Sequence, residues 1–170
     1  MGPKETILLS QVQYFVRRTL RPKLTEDLQA LRIVKEADIE CCAYYHLRLF
    51  LRKDPRWNIL ARYFARNTEH YIDLVIFRKS KPKIAIEIKW NRKIITEKDR
   101  ESLRRSLYPL GAKKVYCLTV LRDRSLYEKM SKLKAEKYRL HEILVGLDVS
   151  VNDVKAWEQK RDVLRQKMAS

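Results

Sequence analysis

The sequence predicts an α/β domain: a mixed β-sheet of four to five strands flanked by helices, in the order α-βββ-α-β, with an extra helix at each end. Three short apolar stretches follow one another between residues 57 and 90, as in an antiparallel meander. A helical pattern over residues 96–111 then separates them from a β-branched fourth stretch, and such a crossover sets that strand beside the meander. The chain has 170 residues, 45% of them hydrophobic, and carries no repeats or Gly/Ser linkers, so one domain over residues 1–170 is expected.

Residues 6–20, TILLSQVQYFVRRTL, place Leu8, Val12, Phe15 and Val16 at helical spacing, and Pro22 is expected to end that helix. LTEDLQAL is expected to open a second helix, with Thr25 as N-cap and Glu26 and Asp27 against its positive end. Helical patterning continues to about Lys53, where Asp54-Pro55 stops it. Strands are expected at WNILARYFAR (57–66), HYIDLVIFR (70–78) and KIAIEIKW (83–90). TEKDRESLRRSLYPLG (96–111) reads as a helix from Thr96 to Gly111, and KKVYCLTVL (113–121) as a buried strand. DRSLYEKMSKLK reads as a further helix, and KYRLHEILVGLDV offers a fifth strand. Beyond Ser150, Val151, Val154, Trp157, Leu164 and Met168 recur at helical spacing, so a helix over 150–168 packed on the body is expected.

Composition excludes much chemistry. Three glycines rule out the Gly-rich loops that cradle phosphates, and His46, His70 and His141 are scattered without zinc-ligand spacing. There is no G-x-S-x-G nucleophile elbow. Cys41, Cys42 and Cys117 have no C-x-x-C spacing and read as structural thiols of an intracellular protein, in cytoplasm, nucleoid or nucleus. No apolar run approaches the ~18 residues of a membrane span, and no signal peptide is evident. MGPKET fits the myristoylation pattern formally, with proline directly after the glycine and no second membrane signal. Lys and Arg number 38 against 21 Asp and Glu, a net charge of +17, which favours a polyanionic partner, nucleic acid before a membrane surface. Carboxylates and lysines are left to carry any reaction.

The stretch YIDLVIFRKSKPKIAIEIKW (71–90) concentrates them. Period two sets Tyr71, Asp73, Val75 and Phe77 on one face of the first strand and Ile72, Leu74 and Ile76 on the other. In the next strand Ile84, Ile86 and Ile88 share a face, leaving Ala85, Glu87 and Lys89 opposite. A hairpin centred on Ser80 pairs 73 with 87, and a two-residue loop would shift that register. Opposed like charges on a partly apolar face are destabilising unless a carboxyl is protonated or a cation lies between them. Two hard oxygen ligands suit Mg²⁺ or Mn²⁺, and Lys89 completes an acid-acid-base triangle able to polarise a phosphodiester and orient an attacking water.

YIDLVIF…IAIEIKW resembles the core of the PD-(D/E)xK nuclease superfamily, the restriction endonuclease-like fold of many restriction enzymes, archaeal Holliday junction resolvases and VRR-type nucleases. The resemblance spans about residues 28–122. It implies that Asp73 is the first acid of the motif, Glu87 the second and Lys89 its lysine; Ile72 stands where the name-giving proline would be. Members often add a glutamate from the helix before the sheet, and LRIVKEADIECCAYYHLRLFL offers Glu36 and Glu40, with Asp38 between them. Glu40 is the charged member of a stripe of Ile33, Ala37, Glu40, Tyr44, Leu47 and Leu51 and is favoured. Glu36 has Arg32 and Lys35 as ready partners, yet EADIE resembles the E-x-x-(I/V)-Q opening of VRR-type helices.

A metal-dependent DNA endonuclease is therefore expected, structure-selective because no separate recognition domain is evident. RNA stands as the alternative polyanion, and the C-terminal helix leaves room for a homodimer. Arg92, Lys93, Lys98, Arg100, Arg104 and Arg105 are the expected phosphate contacts; Trp57, Tyr63, Trp90 and Tyr108 are candidates for stacking on bases. Two other functions compete: a nucleic-acid-binding module with the same fold and no catalysis, and a basic scaffold for an acidic protein.

Overall fold

The computed structural model describes residues 6–64, 71–90, 112, 114–121 and 140–146, with residues 156, 159, 160, 162–164, 166 and 167 of the C-terminal segment. Helix α1 (Leu9–Tyr14) starts where Gln11 Oε1 accepts the otherwise unpaired Leu8 N–H at 2.7 Å. It does not stop at Pro22. A π-helical turn, Phe15–Thr19, leads directly into α2 (Leu20–Gln29), so Pro22 lies inside a continuous helical run. The wider turn just before the proline loosens the hydrogen-bond ladder where its ring and missing N–H would otherwise break it. Thr25 is consequently no N-cap: its hydroxyl donates to Arg21 O at 3.1 Å within α2.

The true break follows Ala30, where Leu31 takes a left-handed φ of 58°. Helix α3 (Glu36–Leu51) then begins under a cap supplied by Asp38, whose Oδ2 accepts the Val34 and Lys35 N–H groups at 3.0 Å each. Its buried stripe is Ile39, Ala43, Leu47 and Leu51. The expected stripe through Ala37 and Glu40 was offset because Ile33 precedes the helix: Ala37 is exposed, and Glu40 flanks the stripe, half-buried. Arg32 is not a partner of Glu36; its Nε donates to Asp27 Oδ1 at 2.7 Å.

The strands β1 (Trp57–Phe64), β2 (Tyr71–Arg78), β3 (Lys81–Trp90), β4 (Lys114–Leu121) and β5 (Leu140–Gly146) form one sheet in chain order. Strands β1–β3 are an antiparallel meander, and β4 and β5 continue it in parallel. This is a mixed α/β structure, a mixed sheet flanked by helices. The helix expected over 96–111 and the one after β4 lie outside the described residues.

The β2–β3 turn decides what faces what. Lys79 and Ser80, with φ of 48° and 62°, make a two-residue loop closed by Arg78↔Lys81. Alone, that loop would set Asp73 one residue out of step with Glu87. The pairing shifts after Phe77↔Pro82 to Ile76↔Ile84, leaving Lys83 as the extra residue of a β-bulge. Pro82 has no N–H to give the ladder, which suits it to a bulge. The shifted register runs through Val75↔Ala85 to Leu74↔Ile86, where pairing ends one step short of Asp73 and Glu87.

One core joins α1–α3 to Trp57, Ile59, Leu74, Ile76, Ile84, Ile86, Ile88, Tyr116, Leu118 and Val120. The opposite face gathers Ile72, Val75, Phe77, Ala85 and Cys117. Strand β4 is buried on both faces from Tyr116 to Val120, as its continuous apolar run requires. Buried Asp54 ties the N-terminal segment to the α3–β1 turn: it accepts Ile7 N–H at 2.9 Å and pairs with Arg56 Nε at 2.8 Å and Nη2 at 2.7 Å. The Arg56 guanidinium, aided by the Ile7 and Arg56 backbone amides and opposed by burial, holds this carboxyl well below the usual range. Trp57 Nε1 donates to Ile7 O at 2.9 Å, closing the same junction.

The described C-terminal residues are helical and exposed, Leu164 at 37%, which corrects the expected packing of that residue on the body. No helix among the described residues is long and apolar enough to cross a membrane.

Asp54→Ala should destabilise the fold by about 2–4 kcal/mol, read by denaturant unfolding. Because the folded-state pKa is depressed, this contribution is present above the ordinary carboxylate value of 3.8 and is lost as pH falls below it. The gap between wild type and variant should therefore narrow on acidification.

Candidate active site

Strands β2 and β3 cease to pair after Leu74↔Ile86, and Asp73 occupies the opening. Its Oδ2 accepts the Ile88 N–H at 2.6 Å, a side chain standing in for the backbone acceptor that the ladder no longer supplies. Across β1, the register places Arg62 opposite, between Ala61↔Leu74 and Tyr63↔Ile72, and Arg62 has a φ of 48°. Strict alternation fails here: Ile72 joins Val75 and Phe77, while Leu74 and Ile76 face the helices. The expected single face of Ile72, Leu74 and Ile76 is thus corrected, since the irregular step at Arg62–Asp73 turns the strand between them.

Burial pushes the Asp73 carboxyl up, and the charges of Glu87 and Glu40 add to it; the Ile88 amide and Lys89 oppose them, and the result is about 7. Glu87 and Lys89 come from β3, where they alternate with the core residues Ile86 and Ile88, and Lys89 Nζ donates to Glu87 Oε1 at 2.9 Å. Both are half-buried, with side-chain exposures of 17% for Glu87 and 21% for Lys89.

A cleft of about 710 Å³ opens between the start of α3 and the ends of β1–β3, lined by Glu36, Ala37, Glu40, Arg62, Tyr71, Asp73 and Ile88. Glu36 and Glu40 both reach it. Glu40 is the one whose charge acts on Asp73, and its Oε2 lies 3.4 Å from Arg62 Nε, a loose pair with the arginine side chain 71% exposed. Asp38 is occupied as the α3 cap. Glu87 and Lys89 do not line this cleft, but their charges act on Asp73, which does.

The donor set suits a hard divalent cation. Asp73 and Glu87 come from neighbouring strands, and burial first, then the charges of Glu87 and Glu40, raise the Asp73 carboxyl, an environment a cation relieves. Among the described residues no three His, Cys, Asp or Glu side chains are already grouped to hold an ion. Mg²⁺ is commonly held by one or two carboxylates and water, which this pair satisfies.

Other expected residues fall elsewhere. Arg92, Lys93, Lys98, Arg100, Arg104, Arg105 and Tyr108 lie outside the described residues, as do the side chains of His70 and His141. Trp57 is buried beneath the Arg78 guanidinium, Tyr63 packs edge-on against Phe77 with centroids 5.3 Å apart, and Trp90 lies against the helical core; none is an open stacking surface. His46 is satisfied by Asp27 Oδ2 at 2.6 Å. Burial, then the charge of Asp27, pushes the Cys42 thiol up to about 12, as befits an inert structural cysteine. Arg62 and Tyr71, both lining the cleft, were not singled out by sequence; the alternation of YIDLVIF is the signal that placed Tyr71 beside Asp73. No family model matches the chain, and neither does any curated protein or solved structure.

The unfolded chain should release the Asp73 proton near 3.8 and the folded protein near 7, so between these values the folded state binds the extra proton. Metal-free protein should therefore lose stability as pH rises across this interval. Asp73→Asn should flatten that slope and melt higher than wild type above pH about 7, as followed by thermal denaturation across pH in EDTA.

Proposed function

We propose that the chain is a metal-dependent nuclease that hydrolyses DNA phosphodiester bonds on a restriction endonuclease-like, PD-(D/E)xK-type core. The observation that carries this reading is the buried Asp73 carboxyl at the strand opening, acted on by the charge of Glu87, with Lys89 hydrogen-bonded to Glu87. The α-βββ order preceding a parallel β4 and the net charge of +17 support it.

Asp73 and Glu87 would hold Mg²⁺ or Mn²⁺, with Glu40 rather than Glu36 in support, since only Glu40 acts on Asp73. The bound ion supplies Lewis-acid polarisation of the phosphate and acidifies a water. Asp73 would give up its proton to take this role, the ion offsetting the neighbouring carboxylates that oppose its ionisation. Lys89, held by Glu87 within the site, orients the nucleophile and faces the charge that develops on the phosphate. The exposed guanidinium of Arg62, loosely tied to Glu40, is free to turn toward a phosphate oxygen. The basic residues between 92 and 105 would follow the DNA backbone.

A second reading, a DNA-binding module without catalysis, is favoured by one feature: among the described residues no three-carboxylate cluster is preassembled. A cleavage assay on labelled junction, flap, single-stranded and duplex DNA, with Mg²⁺ or Mn²⁺ and then with EDTA, separates the two. Metal-dependent cutting is expected; binding with no cutting under either metal would leave the module.

Asp73→Ala should abolish cleavage, and Lys89→Ala should slow it by about 10²–10⁴-fold with DNA affinity retained. Lys89→Ala cutting at the wild-type rate would refute the role of that amine. Glu40→Ala should cost about 10–100-fold and Glu36→Ala far less. Independently of activity, Mg²⁺ should raise the melting temperature at pH about 8, where the carboxylates are ionised, and Asp73→Asn should remove that rise.

A further inference from the structure

Phe64 ends β1 and Tyr71 begins β2, and the two face each other in the register with ring centroids 5.1 Å apart, tilted at 51°. They are among the most exposed large side chains described, Phe64 at 48% and Tyr71 at 64%. A single exposed hydrophobic residue is ordinary. Two aromatics in mutual contact, with their outer surfaces open to water beside a charged cleft, form a surface with a cost in hydration that a ligand would relieve. Tyr71 lines that cleft together with Asp73 and Arg62, and it precedes Asp73 by two residues, ~7 Å along the strand.

We propose that Phe64 and Tyr71 form a base-stacking platform, so that the site takes DNA with an unpaired nucleotide next to the phosphate held at Asp73. The inference rests on the nuclease reading. An aromatic face accepts any base without reading its edge, and in a closed duplex the base faces are already stacked on their neighbours. Only a flap, gap, loop or single strand offers one. The charge of +17 draws the polyanion to the cleft, and Arg62, exposed at its rim, meets the backbone of the nucleotide whose base lies on Tyr71. The buried Trp57 and the internally packed Tyr63 offer no such surface.

The test is DNA binding in EDTA, using a 2-aminopurine-labelled single strand, a flapped duplex and a closed duplex, at several salt concentrations. Wild type should prefer the unpaired substrates and quench the probe. Tyr71→Ala should weaken unpaired binding by about 10-fold and abolish the quench, with duplex binding unchanged; Phe64→Ala should act in the same direction. Tyr71→Trp should restore both, which a merely structural role would not allow, and the exposure of both sites keeps the variants folded. Equal wild-type affinity for duplex and unpaired DNA overturns the platform, and so does a Tyr71→Ala that keeps the preference. Concentration-dependent self-association that the alanine variants abolish, with DNA binding intact, would reassign the patch to a second copy of the chain and also overturn it. Cleavage scored separately with Mg²⁺ distinguishes the two readings. Cutting indifferent to Tyr71 removes the platform alone, whereas platform-dependent binding without cutting supports the platform and removes the nuclease.

Discussion

The β2–β3 hairpin turns through Lys79 and Ser80 and then carries one extra residue, Lys83, so that the two strands meet one step further along than the turn alone would allow. Everything proposed for the site depends on this register. Side chains alternate with a period of two, so a slip of one residue would carry Glu87 and Lys89 to the other face of β3 and bring Ile86 or Ile88 toward Asp73. The bulge shifts the pairing of β2 with β3 by one residue ahead of Asp73. Pro82, unable to join the ladder, marks where the correction is made.

What the register brings together, the rest of the chain keeps together. The core between α1–α3 and the sheet holds Ile84, Ile86 and Ile88, which pins the spacing of Glu87 and Lys89 between them. The α3 stripe of Ile39, Ala43, Leu47 and Leu51 fixes the helix so that Glu40, at its margin, points its charge at Asp73. Asp54 and Arg56 close the turn from which β1 departs, and β1 delivers Arg62 to the cleft. The strain of a buried carboxyl surrounded by like charges is carried by this apolar frame, a common pairing of stable scaffold and unstable centre.

Much of this was legible in the sequence where one physical signal dominated. The β-strands announced themselves through alternating β-branched residues, and Asp73, Glu87 and Lys89 stood out as charges within apolar runs. The turn between β2 and β3 was not legible, because Lys79 and Ser80 take left-handed conformations without the glycine or asparagine that usually signals them. Pro22 misled because the π-helical turn upstream is a tertiary accommodation that no local propensity encodes. Thr25 resembles an N-cap only where a helix ends at that proline, and here the helix runs through it. Arg62 carried no signal at all: a positive φ at an arginine in mid-strand is imposed by the irregular step opposite Asp73, and only coordinates reveal it.

The loss of alternation at Asp73 has a further meaning. A sheet ordinarily walls off its two faces, yet here the helix-side cleft with Glu40 and the opposite side bearing Glu87 and Lys89 share one carboxylate through the opening between β2 and β3. The sheet behaves at that point as a window frame. Substitutions on α3 can reshape what enters from one side while the strand-borne pair on the other is left intact, so access and chemistry are open to separate adjustment by selection or by design.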